Sequence, residues 1–345
     1  MNKKNIRSLS LEQLQQVVIE LGDKPFRAKQ IYHWLWQKAA HSFDEMLNIP
    51  KKLIEQLREQ YAILPVQIAK KQVSNDGTVK FGFQLFDSHI VEGVLIPSPD
   101  LTRMTACVSS QVGCSLACSF CATGLLDRKR NLTADEIFDQ VVFIKQEAEK
   151  RYNQPLTNIV YMGMGEPLLN YKEVVRSTER ITAPDGLNMS AKRITVSTAG
   201  ISKMIRKLAD DDTKFNLAVS LHAANDTKRN EIMAINETNS LEVLADALRY
   251  YYEKLGRQVT YEYIAFNSFN DSIEDAEELV KFCKIIPSKV NIIEYNTVAG
   301  LDFFKTTEDR LEKFQKYVES QGITATLRRS RGKDIDAACG QLANK

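Results

Sequence analysis

The chain has 345 residues, of which 43% are hydrophobic and 26% are charged, a composition typical of a globular protein with one large and one smaller domain. The formal net charge of +2 is too small to indicate a nucleic-acid partner, so any RNA site has to come from local clusters of basic residues. No apolar run is long enough to span a bilayer, and the N-terminus lacks the apolar core of a signal peptide. We therefore expect a cytoplasmic protein with no membrane partner.

The first part of the chain, from about residue 8 to 62, has the apolar spacing of helices. Ser10 opens a capping-box pattern with Gln13, apolar residues follow at helical spacing, and Gly22 is a stop signal. Two further helices are predicted near 26–40 and 51–61. Together they predict a small N-terminal helical accessory domain over residues 1–64.

Between about 66 and 97 the apolar period changes from helical to alternating. Apolar side chains alternate with polar or small ones over 79–85, and the Asp76-Gly77 dipeptide is a hairpin-turn signal. A further apolar run at 90–96 predicts another strand. We predict a short antiparallel β extension, a meander over residues 65–99.

From about residue 100 onward, strand patterns alternate with helix patterns. Repeated βα units imply a parallel sheet with right-handed crossovers, and a full barrel of this kind has eight units. About six units and a closing strand predict an α/β fold, a partial (β/α)6 barrel over residues 100–345. The predicted strands are 104–109, 158–162, 193–197, 216–221, 259–265, 289–295 and 324–328.

Three cysteines, Cys114, Cys118 and Cys121, follow the first predicted barrel strand with C-x3-C-x2-C spacing. Thiolates favour iron–sulfur clusters, zinc or copper. A [4Fe–4S] cube usually takes four cysteines, so three leave one iron open to a substrate or cofactor. The alternative is a structural zinc site, in which a remote fourth ligand joins the three cysteines.

Polar residues lie at the C-terminal ends of several successive predicted strands. The active sites of such barrels lie at these strand ends. Glycines let a ligand approach the backbone, and a carboxylate can accept hydrogen bonds from an ammonium group. A lone histidine is more often structural than a ligand, but His222 falls at a strand end beside a hydroxyl. These positions predict a cradle for a polar molecule and comprise Gly165, Glu166, Ser197, Ser220, His222 and Asn296.

The three other cysteines raise separate questions. Cys283 lies on an apolar helix face and is predicted to be a core residue. Cys107 lies in a predicted strand, and Cys339 lies near the C-terminus. Three roles stay open for these two cysteines. Each could be inert or a fourth metal ligand, or the two could form a transient catalytic pair across the barrel mouth.

Several motifs, taken in order, closely resemble the RlmN/Cfr family of radical S-adenosylmethionine (SAM) rRNA methyltransferases, with the RlmN branch the closer one. The resemblance runs over nearly the whole chain, and the tail and cluster motifs together are highly specific. The motifs are Cys107–Cys114, the three-cysteine loop, Met162–Asn170, Ser220–Ala223 and Asp334–Leu342.

The resemblance implies a role for each site residue. Cys339 takes a methyl group from one SAM, a radical from a second SAM activates it, and the resulting carbon radical adds to the base. Glu92 accepts the proton that the base loses, and Cys107 then releases the product as a transient disulfide with Cys339. One [4Fe–4S] cluster is held by Cys114, Cys118 and Cys121, and the implied SAM contacts are Gly165, Glu166, Ser197, Ser220, Leu221, His222 and Asn296.

The same resemblance implies methylation of C2 of an adenine in 23S rRNA and of an adenine in tRNA. It also implies a flavodoxin-like or ferredoxin-like electron donor, and we expect a monomer. Two alternatives stay open: methylation of C8 of the same rRNA adenine, and a non-catalytic zinc-dependent RNA-binding module. Basic segments at 128–130, 192–193 and 328–333 are candidate contacts for RNA phosphates.

Overall fold

The N-terminal part of the chain is helical, as predicted. In the computed structural model, which describes residues 3–343, a capping box at Ser10 starts the first of three helices. A two-residue parallel pair of strands closes this part by joining its beginning to its end. The elements are β1 (Lys4–Asn5), α1 (Leu11–Glu20), α2 (Phe26–Trp36), α3 (Lys51–Gln60) and β2 (Tyr61–Ala62).

Three antiparallel strands form the predicted meander, and they are β3 (Gln67–Val73), β4 (Val79–Gln84) and β5 (Ile90–Pro97). The last of them pairs antiparallel with β6 (Met104–Cys107), which is the first strand of the barrel. The meander therefore extends the barrel sheet without a break. The domain boundaries at residues 64 and 99 stay a prediction.

From residue 104 the strands of the main sheet run parallel and alternate with helices. The helices after β6 are α4 (Ala134–Tyr152), α5 (Tyr171–Thr182), α6 (Ser202–Asp210), α7 (Asp226–Ile232), α8 (Leu241–Leu255), α9 (Ile273–Cys283) and α10 (Glu308–Ser320). The strands are a short antiparallel pair, β7 (Gln111–Val112) and β8 (Arg130–Asn131), and then β9 (Asn158–Tyr161), β10 (Ile194–Thr198), β11 (Asn216–Ser220), β12 (Val259–Ala265), β13 (Ser288–Glu294) and β14 (Thr324–Arg328).

Within residues 3–343 the main sheet has ten strands, in the order β14-β13-β12-β11-β10-β9-β6-β5-β4-β3. The seven strands from β6 to β14 in this order are parallel, and each consecutive pair is joined through at least one helix. Neither end of the sheet pairs with the other, so the barrel is open. This arrangement confirms the predicted partial (β/α)6 barrel.

The barrel core lies between the parallel strands and the surrounding helices. Every residue of β12 is buried, because a parallel strand covered on both faces has no solvent side. Glu262 is the one charged residue of this strand. Its burial depends on a hydrogen bond that Nδ2 of Asn291 donates to Oε1 of Glu262 at 2.7 Å.

A buried ion pair fastens the helical N-terminal part to the barrel. Nη1 of Arg7 donates to Oδ1 of Asp139 at 2.6 Å, and neither side chain is exposed. Nη2 of Arg7 donates to the carbonyl of Ala40 at 3.1 Å, and the backbone N–H of Val66 donates to Oδ2 of Asp139 at 3.2 Å. One pair of side chains thus fixes three segments relative to α4.

Among residues 3–343, no helix combines the length and apolar character needed to cross a bilayer.

Candidate active site

A cavity of about 280 Å³ lies at the carboxyl ends of the parallel strands. Strand-end residues form its floor, the three-cysteine loop forms one wall, and the C-terminal tail forms another. Most of the site residues predicted from the sequence line this single space. They are Cys107, Cys114, Cys118, Cys121, Gly165, Glu166, Ser197, Ser220, His222 and Cys339.

Three of the predicted site residues do not line the cavity. The side chain of Leu221 is fully buried, and its backbone N–H donates to the carbonyl of Glu262 at 3.0 Å. Asn296 instead holds the tail, because its Nδ2 donates to the carbonyl of Cys339 at 3.2 Å. Glu92 lies in β5 and also contacts the tail.

Glu92 is engaged on all sides by other parts of the chain. Its Oε2 accepts a hydrogen bond from the backbone N–H of Ala343 at 2.8 Å, and Lys80 lies 3.4 Å from its Oε1. Both side chains of this ion pair are almost fully buried. In this structure the carboxylate therefore anchors the tail to the sheet, and its predicted role as a proton acceptor stays a prediction.

The three loop cysteines present their thiols to the cavity. Burial raises the pKa of Cys114 to about 11 and raises that of Cys118 as well, so metal binding at this loop has to displace protons. Within the described residues, no three His, Cys, Asp or Glu side chains converge as ligands of a single metal ion. The cysteines of an iron–sulfur cube bind different irons, so their sulfurs need not meet at one point. The loop is therefore compatible with a cluster.

Glu166 ends the turn after β9 and lies beneath the cavity. Its Oε2 accepts from the backbone N–H of Ala199 at 2.8 Å, and its Oε1 accepts from the N–H of Leu168 at 2.9 Å. Burial raises the pKa of Glu166 to about 7, and these hydrogen bonds limit the rise. Such a carboxylate is ready to ionise beside a ligand that carries a positive charge.

His222 has a structural setting that keeps its ring neutral. Its backbone has φ of 56°, a left-handed conformation that turns the chain after β11. The backbone N–H of Ile264 donates to Nδ1 at 3.1 Å, and the ring of Phe120 meets the imidazole edge-on at 4.9 Å between centroids. Burial lowers the pKa of His222 to about 3, so it holds no positive charge at neutral pH.

Cys107 and Cys339 both line the cavity, although they are far apart in sequence. Burial raises the pKa of Cys107, and charge on Cys339 raises it further, which reflects the proximity of the two thiols. Cys339 is accessible to solvent through the cavity, while the surrounding protein walls raise its pKa too. Both are free thiols, as are the other four cysteines. The structure therefore does not support the predicted disulfide bond.

The tail that carries Cys339 is tied to the three-cysteine loop. The backbone N–H of Ala122 donates to the carbonyl of Gly340 at 2.8 Å. The hydroxyl of Thr123 donates to the carbonyl of Leu342 at 2.6 Å. Ala122 and Thr123 directly follow Cys121, so the position of the tail depends on the conformation of the cysteine loop.

Two site residues were not predicted from the sequence. Glu262 lines the cavity and influences the pKa of Cys339. An acidic residue inside an apolar strand pattern is a signal that would have singled out Glu262. Arg229 is fully buried beneath the strand ends, but in the sequence it stands among polar and charged residues that suggest a solvent-exposed helix.

The basic segments that were predicted to contact RNA differ in their distance from the cavity and in whether their charges are already paired. Lys192 and Arg193 precede β10, so they lie at the sheet edge opposite the cavity. Arg130 forms ion pairs with Asp87 and Glu136. Arg328 lines the cavity mouth. Of the predicted segments, 328–333 thus lies nearest the site, and Arg329 and Arg331 line the cavity together with Arg328.

Comparison with known proteins defines first a class. Residues 108–283 match the model of the Radical SAM superfamily. The maturase HydG, a solved structure with a TM-score of 0.52 and 12% identity over 70% of this chain and 55% of its own, shares the fold. The chain is thus a radical SAM enzyme, a class that uses SAM and an iron–sulfur cluster.

The particular family follows from matches over the whole chain. Residues 4–63 match the model of the ribosomal RNA large subunit methyltransferase N-terminal domain. A probable dual-specificity RNA methyltransferase RlmN from Cytophaga hutchinsonii is 57% identical over 343 residues, covering 99% of this chain and 93% of the relative. A dual-specificity RNA methyltransferase RlmN from Anaeromyxobacter is 43% identical, covering 98% and 90%.

A solved structure of a radical SAM methyltransferase also matches over the whole chain. The radical SAM methyltransferase from Sphaerobacter thermophilus has a TM-score of 0.93 and 39% identity, and the match covers 99% of this chain and all of that one. The chain belongs to the RlmN family of radical SAM methyltransferases. This membership decides for RlmN over the related Cfr branch and against a non-catalytic zinc-binding module.

Proposed function

We propose that this chain methylates C2 of a specific adenine in 23S rRNA and of an adenine in tRNA. The observation that carries the proposal is the joint placement of Cys107 and Cys339 in one cavity with the three loop cysteines. A metal site alone would not need two further thiols, and neither of them has a disulfide partner.

The chemistry of the target atom explains why the site contains two thiols in addition to the three loop cysteines. C2 of adenine is an electron-poor ring carbon, so a polar attack on a methyl donor is unfavourable there. When bound, one [4Fe–4S] cluster and SAM supply a carbon radical, and SAM supplies the methyl group. The protein has to hold the methyl group, place it against the base and then release the product.

The chain offers suitable groups to hold both cofactors. Cys114, Cys118 and Cys121 would hold the cluster, which would bind SAM through its amino and carboxylate groups. Glu166 would accept a hydrogen bond from the amino group of SAM. Hydroxyl and backbone groups complete the cradle, at Gly165, Ser197, Ser220, Leu221, His222 and Asn296.

Cys339 is the methyl-carrying nucleophile, because its thiol is accessible to a small molecule in the cavity. The thiol has to lose its proton before it can be methylated, and its raised pKa makes that loss depend on the state of the site. Cys107 is placed to attack the sulfur of Cys339 and free the product. This role belongs to turnover and is consistent with two free thiols at rest.

Glu92 is the proposed proton acceptor of the reaction. In that role its carboxylate has to leave the N–H of Ala343 and reach the C2 proton, so movement of the tail and exposure of the base would be coupled.

The RNA has to present its adenine out of the base stack, since the cavity is enclosed by strand ends, loop and tail. Arg328 at the cavity mouth is a candidate phosphate contact. A low-potential flavodoxin-like or ferredoxin-like protein is the proposed electron donor, and the enzyme acts as a monomer.

Nucleoside analysis tests the proposal. rRNA and tRNA from cells with and without the gene are digested and examined by mass spectrometry, with the Cys339→Ala variant as a control for complementation. We expect 2-methyladenosine to disappear without the gene and to return only with the unaltered chain. An exclusively 8-methylated product would overturn the choice of C2.

A further inference from the structure

Arg229 on α7 is a buried cation at the floor of the candidate active site. Its side chain is completely shielded from solvent. Nε donates to the carbonyl of Leu221 at 3.1 Å, and Nη2 donates to the carbonyls of Ala199 at 2.7 Å and Ser220 at 3.3 Å. Nη1 donates to Oδ1 of Asn236 at 2.5 Å. All four acceptors are electrically neutral.

The positive charge of Arg229 has no direct counter-charge among residues 3–343. No carboxylate of the described chain lies within ion-pair distance of its guanidinium, although every other fully buried arginine or lysine pairs with one. Asp226 reaches it only through Asn236, whose Nδ2 donates to Oδ1 of Asp226 at 2.7 Å. Burying an unpaired charge is strongly unfavourable, so a further negative group is expected near it.

The helix that carries Arg229 is attached to the three-cysteine loop. The backbone N–H of Ser119 donates to the carbonyl of Ile232 at 3.1 Å, and its hydroxyl donates to the carbonyl of Glu231 at 3.3 Å. Ser119 lies between two of the loop cysteines. Arg229 is therefore fixed on one side to the strand ends and on the other to the segment that carries the thiols.

The ionisation of Arg229 agrees with this placement. Burial lowers its pKa to about 10, and nearby charge on Cys118 and on Asp226 acts in the opposite direction. The guanidinium accordingly stays protonated at neutral pH. The neighbouring ring of His222 carries no charge that could replace it.

We infer that Arg229 is a positioning residue that acts as the fixed counter-charge of the iron–sulfur cluster and stabilises its reduced form. The inference rests on the cluster that the proposed function requires. Three thiolates make the site negative, and reduction by one electron makes it more so. A cation held by backbone carbonyls in a dry interior cannot be screened by water, so it favours the more negative state.

The test is a redox titration of the cluster in the full chain, reconstituted anaerobically and free of SAM and RNA. Arg229→Gln removes the charge and keeps a hydrogen-bonding side chain. We expect the ratio of reduced to oxidised cluster at a given potential to fall roughly tenfold, which corresponds to about 59 mV for a one-electron couple. Arg206→Gln removes an exposed charge from the neighbouring helix α6 and is expected to leave the midpoint potential unchanged.

A second variant changes the potential in the other direction. Asp226→Asn keeps the oxygen that accepts from Asn236 but removes the negative charge that partly offsets Arg229, so the midpoint potential should rise. Damage to the fold would not produce shifts of opposite sign. An unchanged potential in Arg229→Gln overturns the inference. If that variant fails to take up iron, an unchanged potential in Asp226→Asn overturns it.

The outcome is independent of the methylation product. A wild-type chain that binds no iron refutes the cluster and with it the proposed function. A wild-type chain that binds iron and forms 2-methyladenosine, but whose variants keep the wild-type potential, refutes the role of Arg229 alone.

Discussion

The side-chain amide of Asn296 donates to the backbone carbonyl of Cys339 at 3.2 Å. A residue expected to contact SAM thus holds the residue expected to carry the methyl group. Together with the hydrogen bonds from Ala122 and Thr123, this contact fixes a tail whose position controls access to the nucleophile. Cofactor binding and tail position are therefore expected to influence each other.

Thr123→Val should loosen the tail without changing the shape of the site. The buried carbonyl of Leu342 would lose its hydroxyl donor, which costs about 1–3 kcal/mol. We expect two backbone amides to exchange hydrogen about tenfold faster: that of Ala122, which donates from the loop to the tail, and that of Ala343, which donates from the tail to Glu92. Mass spectrometry of the exchange measures this.

The matched control for that experiment is Thr102→Val, which removes an exposed hydroxyl bound to Asp100. It should leave the exchange of both amides unchanged. Equal exchange in Thr123→Val and in the wild-type chain would show that the hydroxyl does not hold the tail.

Replacing each of the two cavity thiols should cause a different defect in the reaction. Cys339→Ala removes the methyl carrier, so it should transfer no methyl group. Cys107→Ala should still transfer but should retain RNA bound covalently to the protein, because the thiol that frees the product is missing. Denaturing electrophoresis with labelled RNA distinguishes a trapped complex from free RNA.

Cys283→Ala is the control for these variants, since Cys283 is buried in the core on α9, away from the cavity. It should give normal product with no trapped RNA. Free RNA with normal turnover from Cys107→Ala would contradict the release role.

SAM binding to the cluster-loaded chain should tighten as the pH rises from 6 to 8. Burial raises the pKa of Glu166 to about 7, so below that value most of this carboxyl is protonated and uncharged. The amino group of SAM forms a stronger hydrogen bond with the carboxylate than with the neutral carboxyl, so binding favours the ionised form of Glu166 and releases its proton. Below pH 7 the dissociation constant should fall by up to about tenfold per pH unit and then level off.

Glu166→Gln is the appropriate comparison for the pH dependence. It keeps the size of the side chain but cannot ionise, so its SAM affinity should be weaker and should change less steeply between pH 6 and 8. Equilibrium dialysis at several pH values measures both proteins. An equal slope in the variant and in the wild-type chain would assign the titration to another group.

The ion pair of Arg7 and Asp139 should matter greatly for stability. Asp139→Asn leaves the guanidinium of Arg7 buried without a counter-charge, which costs about 3–5 kcal/mol. We expect a clear drop in the urea midpoint for unfolding. Because the pair joins the N-terminal helices to α4, the N-terminal part should become the first to exchange hydrogen.

Asp44→Asn tests an ion pair of the same chemistry on the surface. Arg58 and Asp44 are both largely exposed, so the loss should be within about 1 kcal/mol. If Asp139→Asn were no more destabilised than Asp44→Asn, the buried pair would not be the fastening point of the two parts.

Much of the fold and of the site follows from local sequence features. The cysteine spacing brings three thiols into one loop by covalent connection alone, whatever the rest of the chain does. The alternation of strand and helix patterns predicts a parallel sheet, and parallel strands bring Glu166, Ser197 and Ser220 to the same edge. Cys283 was recognised as a core residue from its apolar helix face.

The tertiary structure decided which charges are buried and what each one contacts. Arg229 and Arg193 stand in similar polar surroundings in the sequence, yet one is buried under the site and the other lies at the opposite edge. Glu92 and Asn296 hold the tail because distant segments pack against it. Burial and pairing depend on contacts between residues far apart in the chain, and periodicity over a few residues carries no information about them.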